Sequence, residues 1–192
     1  DISGSLVNMT NTTQTVIFTI TPTANGCNGT NITASVVVYP IPVLSSSAPN
    51  QTRCSGVALG SFGITSNVIN TTYAWTRDNT TNVTGIADSG TGNITGTLTN
   101  TTTIPQTVNF TVTPTANGCT GDSIIVSALI NPRPIATASI TSQNICSGNP
   151  ITDITLSSTV TGTTFNWTRN NTVNVIGISN NGSGDINGSL VN

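Results

Sequence analysis

Cys27 and Cys119, Cys54 and Cys146, Trp75 and Trp167, and Ile94 and Ile186 are all separated by 92 positions. No insertion or deletion interrupts this spacing. Short strings recur with it: TPTANGC at 21–27 and 113–119, CSG at 54–56 and 146–148, and WTR at 75–77 and 167–169. A period of 92 is too long for solenoid units, which run about 20–47 residues, and it suits a β-sandwich of about 100 residues. Each period is therefore expected to be one domain. The 192 residues open on DISGSLVN and close on DINGSLVN, so they span two periods plus eight residues. Pro-bounded links at YPIP (39–42) and NPRP (131–134) are the natural boundaries, because Pro breaks a strand ladder and stiffens a linker. The expected organisation is the second half of a domain in 1–41, a complete domain in 42–133 and the first half of another in 134–192. Such a chain reads as a window on a longer tandem array, or as one whose half domains are completed by neighbouring copies.

The residue types suit strands. Lys, Glu and His are absent and Met occurs once, whereas the abundant Thr, Val and Ile crowd a helix at χ1 and fit a pleated surface. Disorder is not expected, because disordered segments are usually highly charged and poor in apolar residues. Here 35% of residues are hydrophobic and 5% charged. Period-2 alternation marks the strands. Val108, Phe110 and Val112 face one way and Asn109, Thr111 and Thr113 the other; Val16, Phe18 and Ile20 repeat the pattern one period earlier. Ile124, Val126, Ala128 and Ile130 form another such set, and Tyr73 with Trp75 and Phe165 with Trp167 share faces in the same way. Trp75, Trp167, Tyr73, Phe165, Phe18 and Phe110 are the expected core of two-sheet, all-β domains.

The charges, four Arg and six Asp, give a net −2 with no basic stripe, so nucleic acid and anionic lipid surfaces are not expected partners. No apolar run of about 20 residues is present for a membrane span. Catalysis needs an activated base or nucleophile, and without His or Lys only dispersed Asp and hydroxyl groups remain, so no enzyme is expected. Neither a cofactor nor a metal is expected: the Asp residues lack the spacing of a calcium loop, and four Cys without His or C-x-x-C do not form a zinc site.

The strings ICSG (145–148), GTTFNWT (162–168), TNTTTIPQTVNFTVTPTANGCTG (99–121) and NPRP (131–134) together resemble the PKD-like repeats of giant bacterial surface proteins exported by the type IX route. The resemblance implies immunoglobulin-like sandwiches in tandem, at the cell surface, used as a stalk, fibre or adhesin. The aspartate-rich loop of other PKD modules is not evident, so no calcium or carbohydrate role is carried over. Asp122-Ser123-Ile124 resembles the Asp-Ser/Thr-aliphatic O-glycosylation motif of the same bacteria, which makes Ser123 a candidate.

Cys27, Cys54, Cys119 and Cys146 are disulfide candidates in an oxidising compartment. Cys54 could pair with Cys119 inside the complete domain, a CSG cysteine could pair with the NGC cysteine of the next domain, or the thiols could stay free. An in-domain bond faces the objection that the two motifs should lie at opposite ends of an immunoglobulin-like sandwich. Fifteen N-x-[ST] sequons begin at Asn8, Asn11, Asn28, Asn31, Asn50, Asn70, Asn79, Asn82, Asn93, Asn100, Asn109, Asn166, Asn170, Asn181 and Asn187, all of them glycan candidates. The function expected is an extracellular structural protein whose copies join head to tail in a rigid, glycosylated fibre. An adhesin that recognises a glycan or partner surface, and a spacer of a larger secreted protein, are the alternatives. An adhesin would need aromatic side chains on loops, and the alternation instead turns them inward.

Overall fold

The computed structural model describes residues 2–192; Asp1, the first residue of the 1–41 segment, lies outside the described part. The fold is all-β, with no helix among the described residues. The N-terminal segment holds β1 (Gln14–Ile20), β2 (Thr23–Ala24), β3 (Cys27–Asn28) and β4 (Ile32–Val38). Between the two Pro-bearing links come β5 (Leu44–Ser46), β6 (Asn50–Cys54), β7 (Ile64–Ser66), β8 (Thr72–Arg77) and β9 (Val83–Thr84). They are followed by β10 (Ser89–Thr91), β11 (Thr99–Asn100), β12 (Gln106–Ala116), β13 (Cys119–Thr120) and β14 (Ile124–Asn131). The C-terminal segment holds β15 (Ala136–Ala138), β16 (Leu156–Ser158), β17 (Asn166–Thr168) and β18 (Asn181–Ser183).

The central region is an immunoglobulin-like sandwich. Its main sheet runs β10-β8-β12-β14-β6, with β13 folded back on the end of β12. All neighbours are antiparallel except β14 and β6, which are parallel. The ribbons β5-β7 and β9-β11 supply Leu44 and Val83 to the core from outside this sheet. On β12 the alternation holds along the strand: Val108, Phe110 and Val112 are fully buried between more exposed neighbours. Phe110 sits at the centre, its ring centroid 5.8 Å from those of both Phe62 and Trp75. Asn117 and Gly118, with φ of 50° and 79°, close the β12-β13 hairpin; the Asn-Gly pair suits a turn that needs both residues in the left-handed region. Asn25 and Gly26 make the same turn one period earlier, with φ of 50° and 79°.

The flanking segments each build part of this sandwich. β1 pairs with β4 from Gln14↔Val38 to Ile20↔Ile32, the register of β12 with β14 shifted by one period. β15-β16 repeats β5-β7 and β17-β18 repeats β8-β10, again residue for residue. What is missing differs between the two segments. Residues 2–41 have no counterpart of β8 beside β1, and residues 134–192 have no counterpart of β12 beside β17. Burial follows. Ile94 and Leu98 are 3% and 0% exposed, whereas Ile2 and Leu6, one period earlier, are 62% and 46% exposed.

The expected core residues separate on the same basis. Trp75 and Phe110 are buried, but Trp167, Phe165 and Phe18 are only half-buried, because the strands that would cover them are not in their own segment. Tyr73 is also half-buried, packed against the edge of the central core. The two tryptophans are therefore equivalent in backbone position and unequal in burial.

Candidate functional site at the domain ends

The polar side chains that recur with the period hold backbone. Asn100 is buried; its Nδ2 donates to the carbonyls of Ile104 (2.7 Å) and Ile130 (2.8 Å), and its Oδ1 accepts from the Thr102 backbone N–H and Oγ (both 2.8 Å). Asn8 repeats these bonds with Thr12, Val38 and Thr10. Gln51 exchanges two bonds with the Gly60 backbone, and Gln143 does the same with Thr152. Ser55 Oγ accepts from the Asn100 N–H at 3.0 Å, as Ser147 Oγ does from Asn192 at 2.8 Å.

Arg77 is a member of this group that hydropathy alone would misplace. It follows Tyr73 and Trp75 in the inward phase of β8 and buries a guanidinium. Nε donates to the Ile86 (3.0 Å) and Ala87 (3.2 Å) carbonyls and Nη1 to the Val83 carbonyl (2.9 Å), tying down the crossing from β9 to β10. Nη2 reaches Asp88 at 3.2 Å, but that carboxylate is 73% exposed and the pair is worth little. Arg169 makes the same three carbonyl bonds, to Ile178, Ser179 and Val175, and the position of Asp88 is taken by Asn180. The recurring WTR string was the available signal, since a charged residue two places after an inward Trp must find acceptors inside.

Several sequon nitrogens are already engaged. Asn8 and Asn100 each donate to two carbonyls, Asn79 Nδ2 donates to Gln106 and Thr107, and Asn109 Nδ2 donates to Asp78. A glycan on Asn100 would displace both bonds and require burial of the first sugar, so this sequon is expected to stay bare. Asn11, Asn28, Asn31, Asn50, Asn70, Asn82, Asn93, Asn166, Asn170, Asn181, Asn187 and Ser123 differ from it in lying on or at the surface. Replacing Asn100 by Ala should cost about 2–4 kcal/mol, since two buried carbonyls lose their donor. Chemical denaturation of the purified chain reads this directly, and peptide mapping of natively expressed material should find Asn100 bare.

The cysteines mark opposite ends. Cys54 ends β6 opposite Asn131, immediately before the 131–134 link, and the following Ser55 N–H bonds the Asn131 carbonyl at 2.8 Å. Cys119 stands opposite Ala116 at the other end, where a side chain on Gly121 would overlap the Pro42 carbonyl. The eight residues of β14 separate the two ends, roughly 23 Å at 3.3 Å per residue. A disulfide needs Cα atoms about 4.4–6.8 Å apart, so Cys54 does not pair with Cys119 within the domain. All four cysteines are free thiols here, and three are exposed. Cys119, half-buried, lines a cavity of about 550 Å³ together with Leu6, Phe18, Val38 and Tyr39 of the preceding segment. Among the described residues no three His, Cys, Asp or Glu side chains come together. No helix among them is long and apolar enough to cross a membrane.

The PKD-like domain family matches residues 1–42 and again 51–134. The first match covers β1 to β4 and the second runs from β6 to the end of the central sandwich, so the family repeats along the chain as the strand register does. No curated protein matches the chain. PKD-like domains are generally non-catalytic and typically extracellular. With matches over well more than half of its length, this chain belongs to the PKD-like domain family.

Proposed function

We propose that the protein is an extracellular structural element in which PKD-like sandwiches, one per 92 residues, form a rigid stalk or fibre at a bacterial surface. The observation that supports it best is the use of the recurring polar groups. Arg77 and Arg169, Asn8 and Asn100, and Gln51 and Gln143 are all spent on their own backbone, and the same bonds return in each period. Side chains committed in this way resist extension and leave little for chemistry on a ligand. The type IX route, membership of a giant protein, and glycans on exposed sequons belong to this reading. The short links carrying Pro40, Pro42, Pro132 and Pro134 limit rotation between domains more than a Gly/Ser linker would.

Pulling single molecules by their ends tests the mechanical role. The central sandwich should rupture in one sharp event that releases roughly 250–280 Å of chain, from about 88 residues at 3.3–3.6 Å each less the folded length. Gradual lengthening without a force peak would overturn it.

A further inference from the structure

Peptide bonds that an endoprotease selecting Arg or Lys could use are scarce in this chain, and three of the four are held by the fold. In an ordinary domain about a quarter of the residues are charged, so roughly one in eight is Lys or Arg. Here Lys is absent and Arg occurs four times in 192 residues. Arg77 lies on β8 between β10 and β12, opposite Phe110, and its backbone N–H donates to the Asp88 carbonyl at 2.8 Å. Its guanidinium is the buried clamp on Val83, Ile86 and Ala87, so it reaches a protease pocket only when the sheet opens. Arg169 repeats the clamp, and its N–H donates to the Asn180 carbonyl at 2.9 Å. Arg53 is half-buried on β6 opposite Ile130. Its Nη1 donates to the Thr52 carbonyl at 3.3 Å, its Nε is buried, and its Nη2 lies over Gly60.

The fourth, Arg133, is the exposed one, and it stands in a link between domains, where chains are most readily nicked. Its counterpart Ile41, in the link that leads into the complete sandwich, is 61% exposed, so this position faces solvent in both links. The bond that follows Arg133 runs to Pro134. Cleavage there would add water across the amide, with hydroxyl going to the Arg133 carbonyl carbon and hydrogen to the ring nitrogen as the C–N bond breaks. Pro134 opposes this step, because its nitrogen carries no N–H, its φ is fixed, and its ring crowds the leaving-group side. Tyr39, the exposed aromatic residue, is placed alike, directly before Pro40. We propose that Pro134 closes the 131–134 link to Arg- and Lys-selective endoproteases, and that the folded chain offers them no usable site. An array is then not severed between its sandwiches. The encounter with such proteases rests on the extracellular reading, but the shielding comes from these residues alone.

The test is digestion of the full chain with trypsin, followed by mass spectrometry of the fragments, with Trp fluorescence to show that each variant is folded. The folded chain should stay intact, and the chain unfolded in urea should be cut after Arg53, Arg77 and Arg169 but not after Arg133. Folded Pro134→Ala should split into 1–133 and 134–192 and lose intact chain at least about tenfold faster than the parent, the effect of about 1.4 kcal/mol in the barrier. Ile135→Arg keeps both prolines and puts an Arg before Ala136 at a position that is 68% exposed, so it should be cut after residue 135. Ile41→Arg puts an Arg before Pro42 in the other link and should stay intact. Cleavage of the folded parent after any Arg, cleavage after residue 41, or resistance of Pro134→Ala or Ile135→Arg would overturn the proposal. The rupture experiment reads the mechanical role separately: a chain that trypsin cuts can still rupture sharply, and one that it spares can lengthen without a peak.

Discussion

Replacing Arg77 by Met should destabilise the central sandwich by about 3–5 kcal/mol, because each buried acceptor left without its donor costs about 1–3 kcal/mol. Three carbonyls, on Val83, Ile86 and Ala87, depend on this one guanidinium. The side chain is 3% exposed, so water has little access to replace it. In a domain of this size the midpoint of thermal unfolding should fall by roughly 15–25 °C. Lys at this position should not rescue, since a point charge lacks the planar fork that serves three carbonyls together. Asp88→Asn should cost under about 1 kcal/mol, as expected of an exposed partner and in line with Asn180 at the equivalent place. Thermal melts of the three variants separate the roles. If Asp88→Asn proves as damaging as Arg77→Met, the ion pair and not the carbonyl clamp holds the crossing.

Phe110→Ala should cost about 3–5 kcal/mol, the usual range for emptying a fully buried aromatic site. The ring is the contact point between Phe62 on one side and Trp75 on the other, and the β-strands around it cannot collapse without breaking the β12 pairings to β8 and β14. Phe18→Ala removes the same side chain one period earlier, yet in the isolated chain it should cost about 1 kcal/mol or less, because a half-buried ring has given up less contact with water. Urea denaturation of the two variants, followed by Trp fluorescence, compares them. Equal losses would mean that the β1-β4 hairpin is already packed as tightly as the complete sandwich.

Period and alternation made the architecture legible. The 92-residue spacing is the structural period, and the inward phases of β12 and β14 can be written from Val108 to Val112 and from Ile124 to Ile130 without coordinates. Alternation was less informative about completeness. It gives Trp167 and Trp75 the same inward direction, but burial requires a covering strand, and that strand is β12 for Trp75 and absent from the C-terminal segment for Trp167. Arg77 and Asn100 were illegible for a different reason. Hydropathy assigns both to the surface, whereas each is buried against backbone that the fold brings to it: the 83–87 carbonyls for Arg77, and the Ile104 and Ile130 carbonyls for Asn100. The cysteines are an intermediate case. Immunoglobulin phasing already placed CSG and NGC at opposite ends, and only the strand pairings of Cys54 and Cys119 turn that objection into a distance.

The central claim is that one 92-residue period is one sandwich and that every period is completed in the same way. Electron cryomicroscopy of the native assembled protein tests it most directly. The account predicts an unbranched fibre whose axial repeat is a single domain, roughly 35–45 Å, from the eleven-residue β12 at about 3.4 Å per residue plus a short link. Every sandwich along it should match that of residues 44–131 in strand order and register. Compact particles in which both half sandwiches fold onto one another within a single copy, or a fibre alternating closed and open domains, would contradict it.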